Sequence, residues 1–187
     1  MPTEHEFKFV IHNEAFGEYY QDHCNIMDYD KHLIIEQGYL AFSKGMTTRI
    51  RSIQKKGSTK KRWFLTFKQK IKCRVVEVET KLDARDGEDL WDACVGKLLK
   101  DRYVFRENSG TWEVDFFRKG SHRYFTLAEV ELEEGAPRPD APPWLDEHIL
   151  FKVPLTDDRF SNKRLGDVDY AQRIYRKLLE ESYGKEA

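Results

Sequence analysis

The first residues of the chain place three charged side chains on alternate positions. Glu4, Glu6 and Lys8 alternate with His5, Phe7 and Phe9. In a β-strand, residues two apart share a face, so the three charges point to one side of the strand. Carboxylates are ligands for hard divalent cations, and an ammonium group binds anions. The three charges therefore either form an ordinary solvated face or line a site.

Charged residues two apart recur in most of the other predicted strands, with apolar residues between them. These sets are Arg49/Arg51, Lys68/Lys70, Glu77/Glu79/Lys81, Glu113/Asp115 and Glu129/Glu131/Glu133. For a single strand, a sheet with one face in water explains the pattern. Repetition across about eight antiparallel strands favours another arrangement, because that number suffices to close a barrel. Burying a charged bore is costly unless a highly charged ligand and metal ions occupy it.

The two signs of charge are segregated along the sequence, although the formal net charge is only -1. The segment 37–76 contains many Lys and Arg but no Asp or Glu, whereas the segment 107–147 is rich in acidic residues. Brought together by folding, these two segments would suit an anion accompanied by metal ions. The near-neutral total does not indicate a nucleic-acid binder, and no DNA partner is expected.

Hydrophobic periodicity predicts an α+β fold in one domain that spans residues 1–187. The predicted strands are 3–11, 36–43, 46–54, 62–70, 74–82, 102–107, 111–117 and 125–133, and the predicted helices are 87–100 and 168–183. Residues 135–144 form a proline-rich segment that can be neither helix nor central strand.

The sequence offers no apolar run of membrane-spanning length, no secretory signal and no zinc or nucleophile motif. We therefore expect a soluble, cytoplasmic protein without a membrane partner. Cys24, Cys73 and Cys94 are widely spaced and form no CxxC pair, so they are expected to be reduced thiols.

A series of short motifs resembles the CYTH superfamily, whose members are also called triphosphate tunnel metalloenzymes. The stretch 4–8 resembles its ExExK signature, and further motifs follow in the family's order. They are QGYL at 37–40, RxR at 49–51, LTxK at 65–68, ExE at 77–79, KxRY at 100–103, WExDxF at 112–117, AEVEL at 128–132, Pro143-Trp144 and the C-terminal element at 156–163.

The resemblance implies a closed antiparallel eight-stranded β-barrel, a tunnel with a charged interior and helices packed outside. It also implies metal-dependent hydrolysis of a triphosphate, most simply inorganic tripolyphosphate or a nucleoside triphosphate. Class IV adenylyl cyclases and thiamine triphosphatases share the scaffold and are alternative activities. A further alternative is a protein that binds polyphosphate or RNA 5′ ends without turnover. The expected partner is a triphosphate-containing small molecule, and a homodimer is compatible with the resemblance.

The resemblance also assigns roles to individual residues. The implied ligands of Mg²⁺ or Mn²⁺ are Glu4, Glu6, Asp115, Glu129 and Glu131. The implied substrate-binding residues are Lys8, Arg49, Arg51, Lys68, Lys70, Arg74, Lys100 and Arg102. The implied catalytic residues are Glu4, Glu6, Lys8 and Tyr39.

Two of these assignments carry open alternatives. Arg74 stands three residues before Glu77, so a regular strand would direct it to the opposite face unless a bulge intervenes. Tyr39 matches the tyrosine of a Lys–Tyr pair that tunes substrate preference in some relatives. A nearby cation would favour its phenolate form, but Tyr39 is equally well explained as a packing residue.

Overall fold

The computed structural model describes residues 5–14, 16–17, 29–40, 46–71 and 74–184. The strands are β1 (His5–Ile11), β2 (Lys31–Tyr39), β3 (Met46–Lys55), β4 (Lys61–Ile71), β5 (Arg74–Leu82), β6 (Gly96–Glu107), β7 (Gly110–Lys119), β8 (His122–Leu132) and β9 (Ile149–Val153). The helices are α1 (Ala84–Asp92), α2 (Pro143–Asp146), α3 (Asn162–Leu165) and α4 (Val168–Tyr183), with a 3₁₀ turn at Asp158–Phe160.

All nine strands belong to one antiparallel sheet in the order β5-β4-β3-β2-β6-β7-β8-β1-β9. The hairpin turn between β3 and β4 contains Gly57 at φ 79°, a conformation that glycine adopts without steric cost. In β1, β3, β4, β5, β7 and β8 charged and apolar residues alternate as the sequence predicts, so that each of these strands presents one largely charged and one largely apolar face. We call the face that carries Glu6 and Lys8 the inner face.

Over β1, β7 and β8 the outer face is apolar and contributes to one of the two hydrophobic clusters. Phe7, Phe9, Trp112 and Val130 are almost completely buried there, together with Leu145 of α2. Helix α1 also lies on this side, where Gly87 packs directly against the Trp63 ring of β4. The expectation that helices cover an apolar outside is confirmed for these two elements.

Helix α4 does not cover the outer face, contrary to that expectation, but packs against the inner face. Val10 and Leu127 are paired across β1 and β8, and they share the face of Lys8 and Glu129. They form the second cluster with Ala171, the other inward residues of α4 and Phe160 of the 3₁₀ turn. The C-terminal segment therefore packs against the apolar end of the inner face and closes off one end of the charged region.

The strand count differs from the expected eight because residues 149–153 form a ninth strand. β9 pairs with β1 along Lys8–Ile11, on the edge of β1 that lies opposite β8. β5 and β9 stand at the two ends of the strand order, and over the described ranges no pairing joins β5 to β1 or β9. The structure thus shows a curved antiparallel sheet, and the closed eight-stranded barrel is not seen.

The helix expected at 87–100 is wrong in its second half. α1 spans only Ala84–Asp92, and β6 starts at Gly96. Leu98, Lys100 and Arg102 then take alternate positions on β6, with Leu98 in the apolar cluster and the two bases in the charged region. Pairing with both β2 and β7 outweighs the helical spacing of the leucines.

None of the helices in the described part of the chain combines the length and apolar character that a bilayer crossing requires.

Candidate functional site

The curved inner face encloses a cavity of about 920 Å³ whose walls are mostly charged. Side chains from eight strands and the C-terminal segment reach it. The lining residues are Glu6, Lys8, Ile35, Gln37, Tyr39, Thr47, Arg49, Arg51, Thr66, Lys68, Glu77, Glu79, Lys100, Arg102, Glu113, Glu129, Glu131, Asp158, Ser161, Asn162 and Lys163. Bases and acids distant in sequence are therefore brought to one cavity.

One wall is basic and is formed by β3 and β4. Arg49 and Arg51 are two residues apart on β3, and Lys68 is beside Thr47 on the paired strand β4. The Nη2 atom of Arg51 donates to Glu79 Oε2 at 3.0 Å, and that of Arg49 donates to Thr66 Oγ1 at 3.2 Å. These contacts hold both guanidinium groups against the sheet.

The two guanidinium groups retain unused hydrogen-bonding capacity. The Nε atoms of Arg49 and Arg51 are buried and have no hydrogen-bond partner within the described ranges. Burial and the adjacent charge of Arg49 lower the pKa of Arg51 from its ordinary value. Buried donors without partners are costly, so this wall is suited to an anionic ligand that supplies acceptors.

The opposite wall is acidic and is formed by β1 and β8. Lys8 Nζ lies 2.7 Å from Glu6 Oε2 and 2.6 Å from Glu129 Oε1. Glu131 is the direct cross-strand neighbour of Glu6. Burial and then the charge of Glu129 raise the pKa of Glu6. Burial opposes the charge on Lys8, but Glu129 and Glu6 together raise the pKa of Lys8 above its ordinary value.

A buried ionic cluster connects the two walls on β6 and β7. Asp115 is completely buried and accepts two hydrogen bonds from Arg102, Nε to Oδ1 and Nη2 to Oδ2, both at 2.7 Å. Lys100 donates to the same carboxylate and, at 2.8 Å, to Asn162 Oδ1 of α3. Arg102 also reaches Glu129 at 3.1 Å.

The charges of the cluster decide its protonation. Burial alone would raise the pKa of Asp115, but the positive charges of Arg102 and Lys100 lower it to about 2. Burial likewise opposes the charge of Arg102, whose pKa is nevertheless raised by Asp115. Burial and the charge of Arg102 lower the pKa of Lys100, against the raising effect of Asp115. The cluster therefore contains an ionised Asp115–Arg102 pair, with Lys100 packed against it at the cavity wall.

The structure brings ten of the expected site residues together on the cavity wall. They are Glu6, Lys8, Tyr39, Arg49, Arg51, Lys68, Lys100, Arg102, Glu129 and Glu131. Asp115 lies behind them, enclosed by Arg102 and Lys100, so its contacts are those of a partner for two bases. Its assignment as a metal ligand stays a prediction that these contacts do not support.

Three expected residues cannot be placed in this way. Glu4 lies outside the described residues, as do the side chains of Lys70 and Arg74. The register of β4 and β5 runs without a bulge from Lys68↔Glu77 to Ile71↔Arg74. Arg74 therefore takes a position of opposite parity to Glu77, and the bulge that would return it to the inner face is not found.

Tyr39 lies where the charged part of the inner face meets the apolar cluster. It lines the cavity and is also packed in the cluster, so its packing is observed, and its role in a Lys–Tyr pair stays a prediction. Burial raises the pKa of Tyr39 to about 12, despite the nearby charge of Arg49. The phenolate form that a nearby cation would favour is therefore disfavoured at neutral pH.

Several lining residues were not among the expected site residues. They are Ile35, Gln37, Thr47, Thr66, Glu77, Glu79, Glu113 and the C-terminal Asp158, Ser161, Asn162 and Lys163. The motifs at 77–79 and 156–163 contained a signal for most of them. Thr66 could have been found from its position two residues before Lys68, since both share one face of β4.

The donor set of the acidic wall suits a hard divalent cation. Glu6, Glu129 and Glu131 offer only carboxylate oxygens, which Mg²⁺ and Mn²⁺ prefer. The ammonium of Lys8 already lies between two of these carboxylates, so a positive charge is favoured there. Across the described residues no three Asp, Glu, His or Cys are grouped to hold an ion. The acidic wall therefore suits an ion that is held by one or two carboxylates and by oxygens of a bound anion.

The chain is similar in sequence to one curated protein over nearly its whole length. An inorganic triphosphatase from Acetivibrio thermocellus is 27% identical over 173 residues, which cover 91% of this chain and 90% of the relative. No family model matches the sequence.

Solved structures share the fold at lower sequence identity. The candidate adenylyl cyclase HpAC1 from Hippeastrum, for which a dominant triphosphatase activity is reported, superposes with a TM-score of 0.51 at 16% identity, covering 70% of this chain and 80% of the neighbour. A conserved hypothetical protein from Pyrococcus furiosus superposes with a TM-score of 0.50 at 22% identity, covering 72% and 82%. The relative and the shared fold together confirm the resemblance of this chain to the CYTH superfamily of triphosphate tunnel metalloenzymes.

Proposed function

We propose that this chain hydrolyses a triphosphate with the help of a divalent metal ion, and that inorganic tripolyphosphate is its first candidate substrate. The observation that carries the proposal is the cavity itself, in which bases of β3, β4 and β6 face carboxylates of β1 and β8. The curated relative named inorganic triphosphatase supports the same reaction class.

The basic wall would bind the phosphate chain. Arg49 and Arg51 would donate charge-assisted hydrogen bonds to phosphate oxygens through the N–H groups that now have no partner. Lys68 pairs with Glu77 at 2.7 Å, and Arg51 pairs with Glu79. These carboxylates hold the two bases in place. The incoming anion would then replace the carboxylates as the partner of the bases.

The acidic wall would hold the metal ion through Glu6 and Glu131, with Glu129 beside them. When bound there, Mg²⁺ or Mn²⁺ would neutralise charge on the phosphate oxygens and lower the pKa of a water molecule. Glu129 is nearly completely buried and shared between Lys8 and Arg102, so it also keeps these two bases at the cavity surface.

The remaining catalytic contribution of the chain is positioning and electrostatic stabilisation. Phosphoryl transfer requires an in-line arrangement and stabilisation of charge on the equatorial oxygens. Lys8 and Arg102, whose pKa values are raised by the carboxylates around them, supply positive charges at the cavity wall. Asn162 of α3 contacts Lys100, so the C-terminal segment contributes to the same wall.

A protein that only binds polyphosphate is less well supported by this geometry. Carboxylates facing an anion raise the electrostatic cost of binding it, and they lower that cost only if a cation lies between them. Adenylyl cyclase and thiamine triphosphatase activities would place a triphosphate group in the same charged cavity, so substrates and products distinguish them from tripolyphosphate hydrolysis.

The proposal is tested by measuring phosphate release from tripolyphosphate, ATP, GTP and thiamine triphosphate. Each substrate is assayed with Mg²⁺, Mn²⁺ or Ca²⁺ and with a chelator, and ATP reactions are also analysed for cyclic AMP. We expect metal-dependent phosphate release, greatest with tripolyphosphate, and loss of activity with the chelator.

Other results would change or reject the proposal. Cyclic AMP as the main product would replace hydrolysis by cyclisation. Binding of tripolyphosphate that weakens with salt, survives the chelator and leads to no phosphate release would identify a binding protein.

A further inference from the structure

Gln37 is a buried polar side chain on the cavity wall. It is only 1% exposed, and it lies on β2 opposite Arg51 of β3. Its Nε2 atom donates a hydrogen bond to the hydroxyl oxygen of Tyr39, two residues along the same strand, at 2.5 Å. Both side chains line the cavity.

This hydrogen bond restricts where the Tyr39 hydroxyl can direct its proton. A phenol carries one proton and can also accept hydrogen bonds. Because the hydroxyl oxygen accepts from Gln37, its own proton must point away from the Gln37 amide. Within the described ranges the Tyr39 hydroxyl makes no second hydrogen bond, and the open space next to it is the cavity.

The neighbours of the hydroxyl identify the ligand chemistry that it would meet. The sheet register places Tyr39 opposite Arg49, and Gln37 opposite Arg51. The phenol O–H therefore belongs to the same wall as the two guanidinium groups whose Nε atoms have no partner. An anionic oxygen that accepts from these groups would be a suitable acceptor for the phenol as well.

We propose that Gln37 is a positioning residue that holds the Tyr39 hydroxyl as a neutral hydrogen-bond donor toward the anion bound by Arg49 and Arg51. This inference rests on the proposed function to the extent that the anion is a triphosphate. Tyr39 then acts by donating a hydrogen bond, and Gln37 acts through Tyr39 without touching the ligand.

The test is a double-mutant cycle read by ligand binding. The affinity of the full chain for imidotriphosphate, whose P–N–P bridges resist hydrolysis, is measured by calorimetry in Mg²⁺. The variants are Gln37→Met, Tyr39→Phe and the double substitution, with Arg51→Met as a reference. We expect Gln37→Met and Tyr39→Phe each to weaken binding about tenfold. The double variant should be no more than about twofold weaker than Tyr39→Phe, because both act through one hydrogen bond.

A purely structural role of Gln37 would give a different result. If Gln37→Met weakens binding as much in the Tyr39→Phe background as in the wild type, or has no effect, the inference is wrong. Gln37→Asn, whose shorter amide does not reach the hydroxyl, is measured in parallel and should behave as Gln37→Met does. In these cases a strong loss with Arg51→Met still supports the cavity as the anion site. Unchanged binding by Arg51→Met would reject the proposed site and the inference together.

Discussion

Replacing Asp115 by asparagine is expected to destabilise the protein by about 3–5 kcal/mol, the range found when one partner of a buried ion pair is removed. Asparagine has nearly the same size, so packing is retained and the loss is electrostatic. Arg102 and Lys100 would remain buried without the carboxylate that now accepts from both of them. Equilibrium unfolding in urea measures the difference.

An exposed ion pair provides the matched control. Asp146 lies 3.7 Å from Lys152, and both side chains are more than half exposed. Asp146→Asn should therefore change the free energy of unfolding by less than about 1 kcal/mol. If Asp115→Asn were no more destabilising than this control, the buried cluster would not have the structural role that we assign to it.

The same variant has a defined pH dependence. The pKa of Asp115 falls from an ordinary 3.8 to about 2 in the folded protein, so the ionised carboxylate favours folding. Its contribution is fully present above the unfolded pKa and is lost as the pH falls through the folded pKa. The difference in unfolding free energy between wild type and Asp115→Asn should therefore be constant above about pH 5 and shrink between about pH 4 and 2.

Replacing Glu6 or Glu131 by glutamine is expected to lower the turnover of tripolyphosphate by at least about 100-fold, an effect as large as the loss of one preorganised group that stabilises the transition state. These two residues are cross-strand neighbours on the acidic wall and are the proposed metal ligands. Both are exposed to the cavity, so the fold should be retained. Steady-state phosphate release measures the loss, and unfolding in urea confirms that stability changes by less than about 1 kcal/mol.

Glu133→Gln is the control for these two variants. Glu133 has the same side chain and follows Glu131 by two residues, but it is exposed and does not line the cavity. Its substitution should leave turnover within about twofold of wild type. Wild-type rates in purified Glu6→Gln and Glu131→Gln would show that these carboxylates do not hold the catalytic metal.

Elements with one consistent period were predictable from the sequence. The helix expected at 168–183 is confirmed as Val168–Tyr183, because its apolar residues follow a single helical spacing and Asp167 caps its N-terminus. The alternating strands were likewise predictable, and with them the inner positions of Lys8, Arg51 and Glu131.

Elements whose local pattern competes with tertiary pairing were not predictable. Leu98 and Leu99 complete a helical spacing with Leu90, yet both lie in β6, where pairing with two strands decides the structure. The strand Ile149–Val153 has only five residues, and its pairing with β1 is a long-range contact that no local pattern indicates.

The candidate site shows the same division. Residue types and spacing located the two charged walls, but they did not indicate which carboxylate is a partner for a base. Asp115 alternates with Glu113 on β7 as a metal ligand would, and only the three-dimensional structure shows Arg102 and Lys100 enclosing it. The same holds for Gln37, whose contact with Tyr39 depends on the burial of both side chains.

The most direct test of the central claim is a crystal structure of the full chain with imidotriphosphate and Mg²⁺. We expect the phosphate chain inside the cavity, with its oxygens accepting from Arg49, Arg51 and Lys68 and the metal ion on the side of Glu6 and Glu131. An anion bound instead to the exposed lysines around the β3–β4 turn, with the cavity bases still paired to Glu77 and Glu79, would contradict it.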